Sequence, residues 1–333
     1  MSLNFSQKRL QKAYLVSQTD PLVVPTFAGT DACLYSKLNL GGNVNLIKNP
    51  DITGSRSTAP GKNGRHTSTW SMEMTLASPG AGVTPDCMPL LDCLFGAPGV
   101  VTASTNIVWT LSDALNTFAI ARYRKPATLG QHIAYGCAVA EATFTLGGDV
   151  GMLSASGPNV WTIDSDVFGN LITEAKGGLA TFPVEPSSPV TAGDFVIGFT
   201  GAITMGGTTI VNLKNASVKI STGSALVTDT FNKFCADGVE ADERNISISF
   251  TLDDADDAGT KALKAAAYTK AGMDMSIQSG LIAGNKWLLG LKGIQLASPT
   301  FDDGQRRFRL NFGDSEAHGT TISSLDEVTL TIS

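Results

Sequence analysis

Charge is scarce in this chain. Lys, Arg, Asp and Glu together make up 16% of its 333 residues, against roughly 25% in ordinary soluble domains. A content this low suits a surface that largely ends against other copies of the chain. Cations are not in surplus either: 24 Lys and Arg stand against 30 Asp and Glu, for a net charge of −6. That argues against a tight DNA or RNA binder, because neutralising phosphates takes an excess of Lys and Arg. A conduit through which a polyanion slides has the opposite need, weak and uniform repulsion without grip. The little charge present is unevenly placed. Residues 1–150 hold 11 basic and 9 acidic residues, and residues 151–333 hold 13 and 21, so halves of opposite sign can meet head to tail.

Cysteine is equally uninformative as a site former. Cys33, Cys87, Cys93, Cys137 and Cys235 are an odd number without CxxC spacing, which suggests neither a disulfide framework nor a zinc site. Buried, reduced thiols are expected. The N-terminus has no apolar run of signal-peptide type, and no span nears the roughly 20 apolar residues of a membrane helix. Synthesis and assembly in a cytoplasm follow from these readings.

Signatures of chemistry are absent too. His66, His132 and His318 are far apart, no serine lies in a GxSxG elbow, and neither GxGxxG nor GxxxxGK[ST] occurs. The acidic run Asp253, Asp254, Asp256 and Asp257 lacks EF-hand spacing and reads as an acidic helix start. No catalytic residue, metal ligand or cofactor is assigned, and the chain is not read as an enzyme. Trp70, Trp109, Trp161 and Trp287 are scattered. A secreted carbohydrate-binding or hydrolytic β-protein, which would call for a signal peptide and an aromatic platform, is therefore not favoured.

What the chain does contain is a repeated pattern. Thr69–Leu76 alternates polar and apolar residues, and Asn245–Leu252 does the same. Trp70 and Ile246, Thr84 and Thr260, and Gly96 and Gly272 are each 176 residues apart. Period-two alternation marks half-buried strands. After each strand the spacing predicts a helix: Thr84–Phe95, with Thr84 as N-cap, Pro85 at the first turn and Gly96 at the end, and Thr260–Ala271, with acids before it and Gly272 behind. Val44 and Leu46 are matched with Val218 and Ile220 at an offset of 174. Further strands are expected at Phe118–Tyr123, Ala138–Leu146, Val150–Ser154, Met273–Gln278, Gly293–Pro299 and Arg306–Phe312. The 35 glycines and abundant Thr, Ser, Val and Ile agree with a mainly β chain.

The division expected is an N-terminal arm over 1–34, a first unit over 35–163, a linker or inserted hairpin over 164–210, and a second unit over 211–333. Within the arm, residues 5–16 show helical amphipathic spacing. Pro183, Pro186 and Pro189 stiffen the linker. Two long polar segments join strands in equivalent places. Asn49–Thr67 carries Arg56, Lys62, Arg65 and His66; Ser221–Arg244 carries Asp229, Asp237, Glu240, Asp242 and Glu243. Loops this long in compact domains are uncommon unless they bind something or are disordered, and the opposite signs suit either two solvated loops or segments that each reach a neighbouring copy. Asp253, Asp254, Asp256 and Asp257 are one candidate for the acidic surface that the basic loop is expected to face on a neighbouring copy. Replacing Arg56, Lys62 and Arg65 by Glu is expected to hinder assembly.

Strand, long loop, strand, helix and returning strands, occurring twice over about 35–163 and 211–333 of a Gly- and Thr-rich acidic chain, resembles the major tail tube protein of long-tailed (siphovirus-type) bacteriophages. The resemblance implies a mainly β fold with a few short helices: two tandem tube-type β-sandwich or barrel-forming domains, each with a flanking α-helix, closing into an oligomeric β-barrel ring. It implies a structural virion protein of the tail. Rings of three chains with pseudo-sixfold symmetry, or alternatively six chains, would stack into a helical tube for genome ejection. The partners implied are other copies of the chain, a tape-measure protein, a tail terminator, baseplate proteins, and genomic DNA passing through the lumen without sequence-specific binding. The alternative reading is another phage structural protein, a capsid decoration or a baseplate- or tail-fibre-proximal module.

Overall fold

The computed structural model describes residues 11–48, 61–124, 130–147, 149–170, 176–186, 193–198, 200–228, 231, 233–304, 306–321 and 324–333. In chain order the first elements are β1 (Lys12–Gln18), β2 (Ala32–Cys33), β3 (Lys37–Ile47), β4 (Lys62–Thr75), β5 (Ala77–Ser78) and helix α1 (Met88–Phe95). Then come β6 (Val100–Thr102), β7 (Asn106–Thr110), β8 (Thr117–Tyr123), β9 (His132–Cys137), β10 (Glu141–Leu146), β11 (Met152–Asn159) and β12 (Trp161–Asp164). They are followed by β13 (Asp194–Phe195), β14 (Ile203–Met205), β15 (Thr208–Thr209), β16 (Leu213–Ser221), β17 (Ala225–Val227), β18 (Gly238–Glu240) and β19 (Asn245–Asp253). Helix α2 (Ala258–Thr269) precedes β20 (Met273–Ser279), β21 (Trp287–Gln295), β22 (Thr300–Asp302), β23 (Arg309–Ala317) and β24 (Val328–Ile332). The protein is thus mainly β.

Strand β4 shows how the alternation acts. His66, Ser68, Trp70, Met72 and Met74 are buried while Arg65, Thr67, Thr69 and Thr75 are exposed, one residue set per face of the pleat. Trp70 lies edge-on to Phe118 at 5.2 Å between ring centroids, and its indole N–H donates to the Ala138 carbonyl at 3.0 Å. In the corresponding strand β19, Ile246, Ile248, Phe250 and Leu252 turn inward, and Phe250 stacks on Phe312 at 4.6 Å. One apolar cluster containing Trp70, Trp109, Phe144, Phe250 and Trp287 runs through both halves of the chain.

All described strand pairs are antiparallel. One sheet has the order β12-β9-β8-β1-β2. The larger sheet has the order β15-β14-β20-β21-β23-β19-β16-β10-β11-β4-β3, with β22 beside β23 and β24 bridging β21 to β7. Among the described residues it does not close on itself. Two local features recur. The β8–β9 ladder slips between Phe118 and Ile120, beside Gly136 at φ +60°, and the β20–β21 ladder slips between Met273 and Met275, beside Gly293 at φ +61°. A left-handed glycine is the usual occupant of such a bulge.

Several sequence expectations are corrected. Lys12–Val16 is strand, not helix, because β1 pairs along its whole length with β8; residues 5–10 of the expected helix lie outside the described residues. Within the segment expected to be a linker or inserted hairpin, β14 pairs with β15 and, on its other side, with β20. Helix α1 begins at Met88 after Cys87, four residues beyond the expected Thr84, and ends at Gly96 with φ +72°. Helix α2 begins after Asp257 and is ended by Lys270 in the left-handed region, not by Gly272. Val44 and Leu46 are not the counterparts of Val218 and Ile220. Leu40 faces Trp70 and Leu38 faces Met72, as Ile220 faces Ile246 and Val218 faces Ile248.

Candidate assembly interface

An antiparallel sheet that stays open presents backbone N–H and C=O groups along its edge strands, which makes an edge a template for another strand. Among the described residues β3 ladders only with β4 along its length. Its far part carries exposed Val44, Leu46 and Ile47, the last two about 60% exposed. At the other end of the central run, Gln295 pairs with Glu316, and β22 pairs with β23 through Thr300 and Asn311. Next to Thr300, Phe301 is 61% exposed. Both edges thus combine apolar side chains with backbone that has no strand neighbour on its outer side and is engaged only in places by side chains, the Leu38 carbonyl accepting from Arg122 Nη1 at 3.2 Å and the Leu296 carbonyl from Lys270 Nζ at 2.9 Å.

Between these edges the two halves are already joined. Strand β10 of the first half and β16 of the second form six consecutive pairs from Glu141–Ser221 to Leu146–Ala216. The inward residues at this junction, Ala142, Phe144, Val218 and Ile220, are completely buried. On the other face, Lys219 Nζ meets Glu141 Oε2 at 2.8 Å. A second junction is made by β24, which pairs with β7 from Thr329–Thr110 to Ile332–Ile107.

The outward face of the central run is polar. A single register row crosses it from Lys37 through Glu73, Ser154, Thr143, Lys219 and Ser247 to Glu316. The adjoining row runs Asn39, Ser71, Ser156, Glu141, Ser221 and Asn245. Lys37 and Glu73 pair at 2.8 Å, so within these rows both lysines have carboxylate partners and the remaining side chains are mostly hydroxyls and amides.

The basic segment is only partly a loop. Arg56 lies outside the described residues. Lys62 and Arg65 are exposed but sit on β4, whose pairing with β3 extends as far as Lys62–Ile47. His66 is buried, with its ring 4.5 Å from that of Trp161, and burial lowers its pKa. The acidic segment contains its own hairpin, β17–β18. It also packs on the first half: the His66 backbone N–H donates to the Phe234 carbonyl at 2.7 Å, and Cys235 is buried in a cluster with Tyr135, Val160 and Trp161. Asp237 pairs with Lys233 at 3.4 Å. Glu240, Asp242 and Glu243 are exposed; Asp229 lies outside the described residues.

The acids Asp253–Asp257 are answered inside the chain. Buried Asp253 faces Lys214 at 2.9 Å, Arg307 at 3.4 Å and Arg309 at 3.7 Å, and the Lys214 hydrogen bond leads in holding its pKa down. Asp254 pairs with Lys264 at 2.6 Å and Asp256 with Lys261. Asp257 accepts the Thr260 N–H at 2.8 Å and caps α2, which lowers its own pKa. Within the chain each of these acids thus has a cation or a helix end as partner.

Sequence reasoning missed both sheet edges and one polar site. His132 lies 3.1 Å from Arg122 and 3.3 Å from Asp164; burial and then the Arg122 charge lower its pKa to about 4. Nothing in the spacing of residues 122, 132 and 164 announces that cluster. The edges had a signal, the alternation of Leu38 and Leu40, obscured by the more conspicuous Val44 and Leu46.

Taken together these features define a mainly β structural protein whose central sheet ends, among the described residues, in edge strands bearing exposed apolar residues. The sequence model of the phage tail tube protein family matches residues 9–333, and the chain belongs to that family. It is a structural component of a phage tail, in a family that self-assembles into a tube. No curated protein matches the chain. Among the described residues no helix is long and apolar enough to cross a membrane, and no cluster of His, Cys, Asp and Glu could hold a metal ion.

Proposed function

We propose that this chain is the ring-forming subunit of a long-tailed phage's tail tube, a duplicated unit of which three copies close a pseudo-sixfold barrel and whose rings stack into a conduit for the genome. The β10–β16 junction carries the reading. It joins the strand run β3-β4-β11-β10 to the run β16-β19-β23-β21 side by side, leaving at the outer ends the same kinds of edge that it joins in the middle. An arrangement that repeats side by side closes when enough copies are present, and closure removes the edges. The paired bulges at Gly136 and Gly293 and the matching orders β12-β9-β8-β1-β2 and β24-β21-β20-β14-β15 support duplication. On this reading the repeats begin at β1 and β14, so neither 1–34 nor 203–210 is an appendage.

The bore would be lined by the Ser-, Thr- and Asn-rich face, on which paired lysines offer a polyanion little grip. Tape-measure protein within the bore, terminator and baseplate proteins at the ends, and DNA passing without sequence-specific contact are the partners of this reading. Stacking contacts are assigned to Arg56, Lys62 and Arg65, since the β3–β4 ladder runs beyond Gly41, the register position matching the last residue of β16. Their acidic partners on the next ring are better sought at Glu240, Asp242 and Glu243 than at Asp253–Asp257.

Electron microscopy of the purified protein tests the reading. Eight strands run from β3 to β21 in each chain. With strands about 4.8 Å apart and tilted about 40°, three chains give a backbone diameter of roughly 48 Å, and six chains roughly twice that. Hollow tubes of the smaller bore are expected. Discrete particles without a bore would reject the tube, and a doubled diameter would reject three chains per ring.

A further inference from the structure

The in-chain junction also specifies which residues meet between chains. Two strands supply the key, because β11 and β23 each touch both neighbours in known register. Ser156 faces Ser71 on one side and Glu141 on the other, while Glu316 faces Ser247 and Gln295. Ser71 and Ser247 are 176 residues apart, so Gln295 stands where Glu141 stands. By the same reasoning Met152 faces Thr75 and Thr145, and Asn311 faces Thr251 and Thr300, so Thr300 stands where Thr145 stands. On the opposite edge, Gly41 faces Thr69 and Leu40 faces Trp70, as Ser221 faces Asn245 and Ile220 faces Ile246.

Resting on the tube reading above, we propose that β3 of one chain pairs antiparallel with Gln295–Asp302 of the next chain in the register of the β10–β16 junction. Gln295 then faces Gly41, Leu296 faces Leu40 and Thr300 faces Lys37. Five steps separate Gln295 from Thr300 and four separate Gly41 from Lys37, so one extra residue bulges within Ala297–Pro299. A bulge with a proline is a familiar device on sheet edges.

Three observations favour this pairing. The first is burial: Val218 is fully buried at the in-chain junction while its counterpart Leu38 is only partly so, and Leu146 is 2% exposed while Phe301, also next after its threonine, is 61% exposed. The counterparts await a cover that the in-chain residues already have. The second is chemistry. Lys219 and Glu141 form an ion pair at the in-chain junction, and their counterparts Asn39 and Gln295 are both exposed amides. An amide pair can replace an ion pair without leaving an unmatched charge. The third is the phase of the pleat: Leu296 and Leu40 are both buried and Gln295 and Asn39 both exposed, so the register sets apolar against apolar on one face and polar against polar on the other.

Cysteine cross-linking of assembled protein tests the register. The five native cysteines are buried, which keeps the background low. A side chain at Gly41 meets nothing closer than the Thr69 carbonyl at 3.8 Å, so Gly41→Cys is tolerated. The Gly41→Cys/Gln295→Cys variant should, on mild oxidation of its tubes, give covalent multimers on non-reducing gels with three chains as the limit. Asn43→Cys/Gln295→Cys, two residues out of register, should give little. Glu141→Cys/Ser221→Cys, the equivalent in-chain pair, should close within one chain and shows that the geometry permits a bond. Tubes with bonding only in the shifted pair, with no interchain bond, or with dimers from Gly41→Cys alone would overturn the pairing while leaving the tube reading intact. Absence of tubes from the unaltered protein would overturn both.

Discussion

Glu141 and Lys219 form an ion pair, with Oε2 and Nζ 2.8 Å apart, across the seam where the first half of the chain meets the second. Both are nearly half exposed, so the attraction is screened and contributes about 0–1 kcal/mol. Glu141→Lys should lower the thermal midpoint slightly by placing two cations together. Exchanging the pair, as Glu141→Lys with Lys219→Glu, should restore it. Equal midpoints for the single and double variants would show that the seam draws nothing from this contact.

Gly293 has φ +61°, and a Cβ there would lie 2.4 Å from the Gly319 carbonyl oxygen. Gly293→Ala should cost about 1–3 kcal/mol through strain and displacement. Gly313, with nothing within 4 Å of its would-be Cβ, is the control. Denaturant midpoints of the two alanine variants should differ clearly, with the second near the parent.

His132 is held neutral by burial and by Arg122, its pKa lowered from 6.5 to about 4. The unfolded chain therefore binds a proton that the folded chain refuses between those values. Stability from this site is present above about pH 6.5 and is lost as pH falls towards 4. His132→Gln should flatten that part of the stability-versus-pH curve. An unchanged slope in the variant would remove His132 as its source.

Asp253 gathers Lys214, Arg307 and Arg309. Its pKa is held below the ordinary 3.8, chiefly by the Lys214 hydrogen bond, so its contribution is present above that value and fades as pH falls through the lowered one. Asp253→Asn leaves three neighbouring cations without their shared anion, and the melting temperature should fall at neutral pH. Added salt should recover part of the loss by screening.

Much of the wall was legible in the sequence, and for a local reason. Trp70, Met72 and Met74 alternate with polar residues over a stretch long enough to leave no doubt of period, and β4 follows that alternation. The helices were found but their starts were not: Thr84 resembles a cap, yet the first helical turn forms after Cys87, while the second helix starts at Ala258, two residues before the expected Thr260, and is capped by Asp257. Lys12–Val16 resembled a helix because Ala13 and Tyr14 fit either period, and only pairing with β8, more than 100 residues away, decides for strand. The partners of Asp253 were hidden in the same manner. Arg307 and Arg309 are over 50 residues further along, and no local rule brings them to Asp253.

Strands β6 and β7 lie between α1 and β8, whereas α2 leads to β20 with only three residues between them. Because β24 of the second half uses β7 as its neighbour, the two halves wear different coats. Any protein that docks on β6 or β7 meets one copy of its footprint per chain.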